Sequence, residues 1–406
     1  MSVLDDVEND VIRLADLLTC RSKTVEIVPG DYSTYAPVET NDDAASALKP
    51  FLLADGNLGV PKKILYRLYL QALQIFADSR ASPEVASSGQ TPRKRGLAAS
   101  SAVILLANPA HLTALNARKR LLEAGILQFG AELKYTEVLL SSRNCSNQSI
   151  LWHHRQWLLN RIRIKQKDIL FMTNMELWGA HTSLETELVI SARACETYPR
   201  NYFAWAHRYF CINEVISFTT VTKSPPLVEM SVAVISREVA SIKHWLETHV
   251  SDASAVHHLT SIIERSSAIL DITIYADDMQ EHAVSLLKSY PEHETMWLYM
   301  RAAFRLRGYH PDSQYLVLEL VDLWESQALQ PSSHEDDIRL AFAYRFLAVR
   351  ALQASFVLLF EIEILITLAQ EGHLPLDDDS FVRQIITGKA SYRPDMGFLK
   401  GSAHHA

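Results

Sequence analysis

The feature that most limits how this chain can fold is a short aromatic register that returns five times. In "RNYFAWAHRYF", residues 200–210, Trp205 stands six places after Pro199; Trp297 stands six after Pro291, and Leu115 six after Pro109. Two further copies keep the pattern without the proline: "NCSNQSILWHHRQWLL", centred on Trp152, and "HVSDASAVHHLTSII", centred on Val256. The centres at 115, 152, 205, 256 and 297 lie 37, 53, 51 and 41 residues apart, each step a helix pair plus a variable loop. Two places after each centre stand Ala117, His154, His207, His258 and Tyr299, and three places after stand Arg118, Arg155, Arg208, Leu259 and Met300.

Each copy reads as a helical hairpin. A proline lacks the N–H that a helix interior needs and disfavours helical geometry in the residue before it, and the polar residue that follows can cap the next helix. In "TYPRNYFAWAHRYF" the turn is "YPRN", Asn201 is the cap, and the aromatic run opens the second helix. One hairpin cannot bury its apolar stripe alone, so such units stack, and the end copies drift because each has one neighbour. The expected fold is therefore all-α, a helical solenoid. Low glycine content and apolar residues at three- and four-residue steps in "ILYRLYLQALQIFA" and "IRLAFAYRFLAVRALQASFVLLFEIEILITLA" agree with it. "TVEIVPG" suits an extended segment, but nothing alternates with the helices as a parallel sheet requires. The expected organisation is an N-terminal extension over 1–60, a repeat domain of about five units over 61–370, and a C-terminal tail over 371–406. The stretch "ASPEVASSGQTPRKRG", residues 81–96, is expected to be a flexible surface loop with Arg93, Lys94 and Arg95 solvated.

Composition removes several functions. With 39 Lys plus Arg against 47 Asp plus Glu, the net charge of −8 offers no global field for a phosphate backbone, so nucleic acid is not an expected partner. The acidic, amphipathic start "MSVLDDVENDVIRL" is not a secretion signal. The apolar runs "SAVILLANP" and "ASFVLLFEIEILITLA" are interrupted before reaching bilayer length, so stable membrane insertion is not expected. Cys20, Cys145, Cys195 and Cys211 are widely spaced, which fits a reducing cytoplasm better than a disulfide framework.

Chemistry of the chain's own is hard to find. Adjacent pairs such as His153–His154 and His257–His258 point to different faces of a helix, and the i, i+4 spacing of a zinc helix is absent there. No metal site is expected, and His404 and His405 in the tail do not change that. There is no phosphate loop, dinucleotide turn or nucleophile elbow. Cys211 and His207 are i, i+4 neighbours, a spacing found far more often as a buried Cys beside a satisfied His than as a nucleophile. Trp152, Trp205 and Trp297 are expected to be core wedges between helices, and the paired His and Arg to satisfy neighbouring backbone or carboxylate groups. Core and interaction surface stay inseparable at this level, because the same Trp-His-Arg helix can turn either edge inward.

"NYFAWAHRYF" and "ILWHHRQW" resemble the N-Y-x-x-W-x-H-R repeat of protein prenyltransferase α subunits, over roughly residues 100–305. "LLANPAHLTALNARKRLL", "KHWLETHVSDASAVHH" and "YPEHETMW", with "EIVPG" and "NLGVPKKIL" more weakly, are similar to a divergent branch of that family. The resemblance implies a right-handed α-α superhelix wrapped around a β subunit of the Rab-enzyme type. That β subunit would hold the zinc and the isoprenoid diphosphate, and this chain neither. It implies a geranylgeranyl transfer to a protein bearing a C-terminal cysteine, such as a SNARE already carrying a farnesyl group. His153, His154, Arg155, Tyr202, His207, Arg208, His257 and His258 would then face partner or substrate. The family's lysine near the diphosphate, five places before the second-repeat Trp, is Asn147 here, and the tyrosine three places before that Trp is Ser149. Tyr202 is retained in the next repeat, and with the nearby Arg200 it is the candidate for direct assistance to chemistry. A helical-repeat adaptor without a β subunit is the rival reading.

Overall fold

Small polar caps and prolines cut the chain into helices where the register asks for them. Thr91, His111, Ser183, Asn201, Asp252 and Asp271 each accept a hydrogen bond from a backbone N–H two or three residues into the helix they open. The computed structural model describes residues 3–31, 48–80, 91–163 and 182–308, and among them five hairpins follow one another. They pair α3 (Pro92–Ala107) with α4 (Leu112–Glu123), and α5 (Phe129–Leu140) with α7 (Ser149–Ile162), the one-turn α6 (Arg143–Ser146) lying in that turn. Next come α8 (Leu184–Thr197) with α9 (Tyr202–Thr222), α10 (Pro225–Thr248) with α11 (Ala253–Ser266), and α12 (Ile272–Ser289) with α13 (Glu294–Arg307). All five register centres fall on second helices, of which α7, α9, α11 and α13 pack side by side in chain order. The architecture is an all-helical repeat.

The step of 51 residues between the third and fourth centres is not a loop effect. Helix α9 has 21 residues and α10 has 24, and only Lys223 and Ser224 separate them, Lys223 closing α9 in the left-handed conformation at φ 52°.

Before the first hairpin, α1 (Val3–Asp16) runs into a π turn at Leu17–Arg21. A small sheet follows, built from β1 (Thr24–Val28), β2 (Leu52–Ala54) and β3 (Asn57–Pro61) in the order β1-β3-β2. Asp55 and Gly56, both at positive φ, make the two-residue turn that joins the antiparallel β2 and β3, the geometry an Asp-Gly pair favours. Strand β1, the "TVEIV" run, pairs with β3 in parallel. Helix α2 (Lys62–Arg80) leaves β3 directly and packs on α3, as does α1. The backbone N–H of Val25 donates to Ser141 Oγ at 2.9 Å, tying the sheet to the end of α5.

Residues 91–96, expected to belong to a loop, are the cap and opening turns of α3. Thr91 and Pro92 start the helix, and Lys94 is buried while Arg93 and Arg95 are exposed. Residues 81–90, the repeat-domain stretches 164–181 and 309–370, and the tail 371–406 with His404 and His405 lie outside the described residues.

Candidate functional site: an ion-pair ladder and an aromatic pocket

Successive residues of a helix face different directions, so a His followed by an Arg can serve two different neighbours. Arg118 on α4 forms a two-pronged pair with Glu132 on α5 at 2.9 and 2.5 Å, and His154 on α7 meets the same carboxylate at 2.9 Å. Arg155, the next residue of α7, repeats this with Glu187 on α8 at 2.7 and 2.8 Å, and His207 on α9 joins at 2.9 Å. Arg208 then pairs with Glu238 on α10 at 2.6 and 2.7 Å, and His258 on α11 joins at 2.7 Å. Every rung thus bolts the second helix of one hairpin to both helices of the next. The remaining guanidinium nitrogen of each arginine donates to a carbonyl of its own hairpin's first helix, that of Ala98, Leu133 or Leu188. It also donates to the hydroxyl three residues further on, at Ser101, Thr136 or Ser191. The ladder stops in the fifth hairpin with its chemistry replaced throughout. Leu259, Met279 and Tyr299 hold the Arg, Glu and His positions, Ile242 holds the hydroxyl position, and all four are buried.

Burial is the largest influence on the glutamates and histidines of the rungs and disfavours the charged form of each. It would push the carboxyls of Glu132 and Glu238 up, but the arginine and histidine facing each one overcome it and hold both at about 2. Glu187 is likewise held well below the usual carboxylate range. For His154, His207 and His258 burial prevails over the glutamate and lowers the pKa, so the rings are neutral. A carboxylate only accepts, so each neutral ring donates its Nε2–H and leaves Nδ1 bare; the Nδ1 atoms of all three have no partner among the described residues.

A second line of contacts runs along the turns. Trp152 Nε1 and Asn201 Nδ2 both donate to the carbonyl of Ser146, each at 2.8 Å, joining the second and third hairpins. Trp205 and Trp245 donate their indole N–H groups to Asp252 Oδ2, each at 3.1 Å, while Asp252 Oδ1 caps α11. Ser251 Oγ and His293 Nδ1 meet at 2.9 Å and carry the line into the fifth hairpin. The rings interleave as well: Trp152 lies 5.0 Å from His207 and Trp205 lies 5.1 Å from His258, centroid to centroid.

Between α9 and α11 a cavity of about 340 Å³ opens, lined by Tyr202, Trp205, Ala206, Tyr209, Ser254, His257, His258 and Ser261. Tyr202 is 58% exposed at its edge. Two residues before it, Arg200 is exposed in the turn at φ 58°.

Residues 184–215, which carry Glu187, Asn201, Trp205, His207 and Arg208, match the family description "Protein prenyltransferase alpha subunit repeat". The match spans the third hairpin, α8 with most of α9. Among curated relatives, protein prenyltransferase alpha subunit repeat-containing protein 1 of Homo sapiens is 26% identical over 244 residues, covering 50% of this chain and 57% of its own length. The protein of the same name from Danio rerio is 28% identical over 243 residues, covering 50% of this chain and 53% of its own length. The chain spans little more than half the length of the curated relatives it matches.

Across the repeats the recurring residues divide between inside and outside. Trp152, Trp205 and Trp297 are buried wedges. His154, Arg155, His207, Arg208 and His258, expected to face a partner, are instead enclosed in the ladder, because the Trp-His-Arg helix turns that edge toward the glutamate of the next hairpin. His153, Tyr202, His257 and Arg200 are exposed and remain available to other molecules. The glutamates were not among the expected site residues, although "ELKYT" at 132–136 and "ELVIS" at 187–191 share the acid and the hydroxyl four places on.

The repeat also brings Glu187, His207 and Cys211 together, their ligand-type atoms within 4.8 Å of one another. A cation does not fit there. Both oxygens of Glu187 are taken by Arg155, with Thr182 and His207 as further partners, so a metal would have to displace a guanidinium. Cys211 Sγ lies 3.6 Å from His207 Nε2, but burial and the adjacent Glu187 raise its thiol well above the ordinary value, which removes the thiolate a nucleophile needs. No described helix is long and apolar enough to cross a membrane.

Proposed function

We propose that the chain is the α-type component of a protein prenyltransferase, a scaffold that holds a separate β subunit and helps select the cysteine-bearing protein to be modified. The observation that carries this reading is the match of α8 and α9 to the prenyltransferase α-subunit repeat. The ladder supports it, since a row of hairpins bolted together by buried ion pairs at three successive steps can present a fixed surface. In the reaction, the substrate's cysteine sulfur displaces diphosphate from the first carbon of the prenyl chain, forming a thioether and giving up the thiol proton. Zinc in the β subunit would favour the thiolate, and the β subunit would also hold the isoprenoid. This chain's part is narrower: Tyr202 and Arg200 present a hydroxyl and a cation at the start of α9, and Asn147 leaves the lysine position of the family without charge.

The finer reading is a geranylgeranyltransferase of the third type, with a Rab-type β subunit and a farnesylated SNARE as substrate. A second lipid chain would turn a marginal membrane hold into a stable one. Asn147 favours a second possibility, an adaptor without transferase activity. One experiment separates them: the chain, a Rab-type β subunit, labelled geranylgeranyl diphosphate and a farnesylated SNARE, with sizing chromatography of the two proteins. Label transferred only when both proteins are present supports the transferase. A stable complex without transfer refutes this lipid and substrate, and two separate peaks at micromolar concentration leave the adaptor.

A further inference from the structure

The cavity between α9 and α11 lies where Ala206, Ser254 and Ser261 stand at the positions that His153, Phe203 and Phe210 hold between the second and third repeats. Two places before and five places after the register centre, the second repeat has Ile150 and Trp157, the third has Phe203 and Phe210, and the fourth has Ser254 and Ser261. One place after the centre, the second and fourth repeats have His153 and His257, and the third has Ala206. Three small residues on two facing helices therefore leave a hole where bulkier side chains stand between the second and third repeats. Its floor is the buried pair Trp205 and His258, and Tyr202, Tyr209 and His257 complete its lining. No Lys, Arg, Asp or Glu is among the described residues lining it.

We infer that this cavity is a docking pocket for a neutral, extended peptide segment of a partner polypeptide, one aromatic side chain of which inserts between Tyr202 and His257 over Trp205. The lining selects that occupant. A diphosphate requires positive charge, and no Lys or Arg among the described lining residues supplies it. A bare isoprenoid would leave the hydroxyls of Ser254, Ser261 and Tyr209 without partners, at a cost for each buried polar group. A peptide supplies both parts: an aromatic ring for the Tyr and Trp faces, and backbone amides for the hydroxyls. The volume is at the lower end of the range for ligand sites of roughly 300–1,000 Å³ and suits one large side chain with its adjoining backbone. The inference rests on the scaffold reading only in taking the occupant to be a partner polypeptide; the pocket's preference stands by itself.

The test uses the full chain without any β subunit, so its failure is distinct from failure to form a complex. The probe is the amide of N-acetyl-4-fluorophenylalanine, observed by fluorine NMR, with pyrophosphate and geraniol as competitors. Line broadening by the wild-type chain, lost in Ser254→Phe/Ser261→Phe, is the expected result. That variant restores residues the third repeat already carries and touches no rung of the ladder. Ala206→His, which restores the residue of the neighbouring repeats, is a second filling variant and is expected to weaken broadening at least fivefold with an unchanged melting temperature. No broadening by the wild type, or broadening that survives both variants, overturns the pocket. Displacement by pyrophosphate or geraniol, with no effect from unlabelled N-acetyl-tyrosinamide, overturns the peptide as occupant.

Discussion

Arg155 and Glu187 meet through two hydrogen bonds of 2.7 and 2.8 Å across the step from α7 to α8, both side chains buried. Removing one partner leaves the other charge stranded in a low dielectric, which typically costs about 3–5 kcal/mol. Glu187→Gln is therefore expected to destabilise the chain by about that amount in urea unfolding. The fifth hairpin supplies the contrast, because Leu259, Met279 and Tyr299 occupy the same positions without charge. Converting a whole rung to that chemistry, with Ser191→Ile, Arg208→Leu, Glu238→Met and His258→Tyr together, is expected to fall within about 2 kcal/mol of wild type. A rung variant as damaging as the single Glu change would mean that the charges themselves, and not their pairing, are required.

Acid should loosen the ladder in two stages. The three glutamates sit below their ordinary range when folded, so the stability they contribute is present above about pH 4.5 and is lost as pH falls toward about 2. The three histidines also sit low when folded, and the unfolded rings, with an ordinary pKa of about 6.5, take up protons first. The unfolded state binds more protons in both stages, so stability rises with pH across the whole range. Urea midpoints are expected to fall steadily from pH 8 to pH 4.5. A midpoint that rises between pH 7 and pH 5.5 would mean that the histidines are protonated in the fold.

Helical hairpins, their turns and the cap at Asn201 are legible in the sequence because proline and cap chemistry act locally. The His-Arg pair is legible as a pattern but not in its direction, since only the partner decides which edge faces inward. That partner is a glutamate on another helix. Glu187 and Glu238 stand 20 residues before His207 and His258, but Glu132 stands 22 before His154, α6 intervening in that turn. Such a spacing has no local physical cause from which to infer it. Lys94 is a similar case: its neighbours make it look like one charge of a solvated cluster, and only the packing of other helices against α3 buries it.

Arg200 holds a left-handed backbone at φ 58°, a region that costs a side-chain-bearing residue about 1 kcal/mol. Arg200→Gly relieves that cost and removes the charge, whereas Arg200→Ala removes the charge alone. Glycine is expected to raise stability by up to about 1 kcal/mol over alanine, reduced by its greater freedom in the unfolded chain. If the cation assists transfer, both variants lower the rate of the complex with the β subunit equally. A loss confined to the glycine variant would assign the effect to the turn and not to the charge.

Asp252 joins three structural elements through one carboxylate. One oxygen accepts from the backbone N–H groups of Ser254 and Ala255, and the other from Trp205 on α9 and Trp245 on α10. Asp252→Ala removes a helix cap, a loss of about 1 kcal/mol, and leaves two largely buried indole N–H groups without their acceptor, at about 1–3 kcal/mol more. Asp252→Asn keeps an oxygen for the cap but places an amide N–H₂ against the indoles, where donor meets donor. The alanine change is therefore expected to cost about 2–4 kcal/mol, with the asparagine change between it and wild type. Both should weaken the near-ultraviolet circular dichroism of Trp205 and Trp245, whose rings stand 5.6 Å apart, centroid to centroid, at 81°. An asparagine variant with wild-type stability and an unchanged spectrum would show that the cap alone carries the contribution of Asp252 and that the indole bonds contribute nothing.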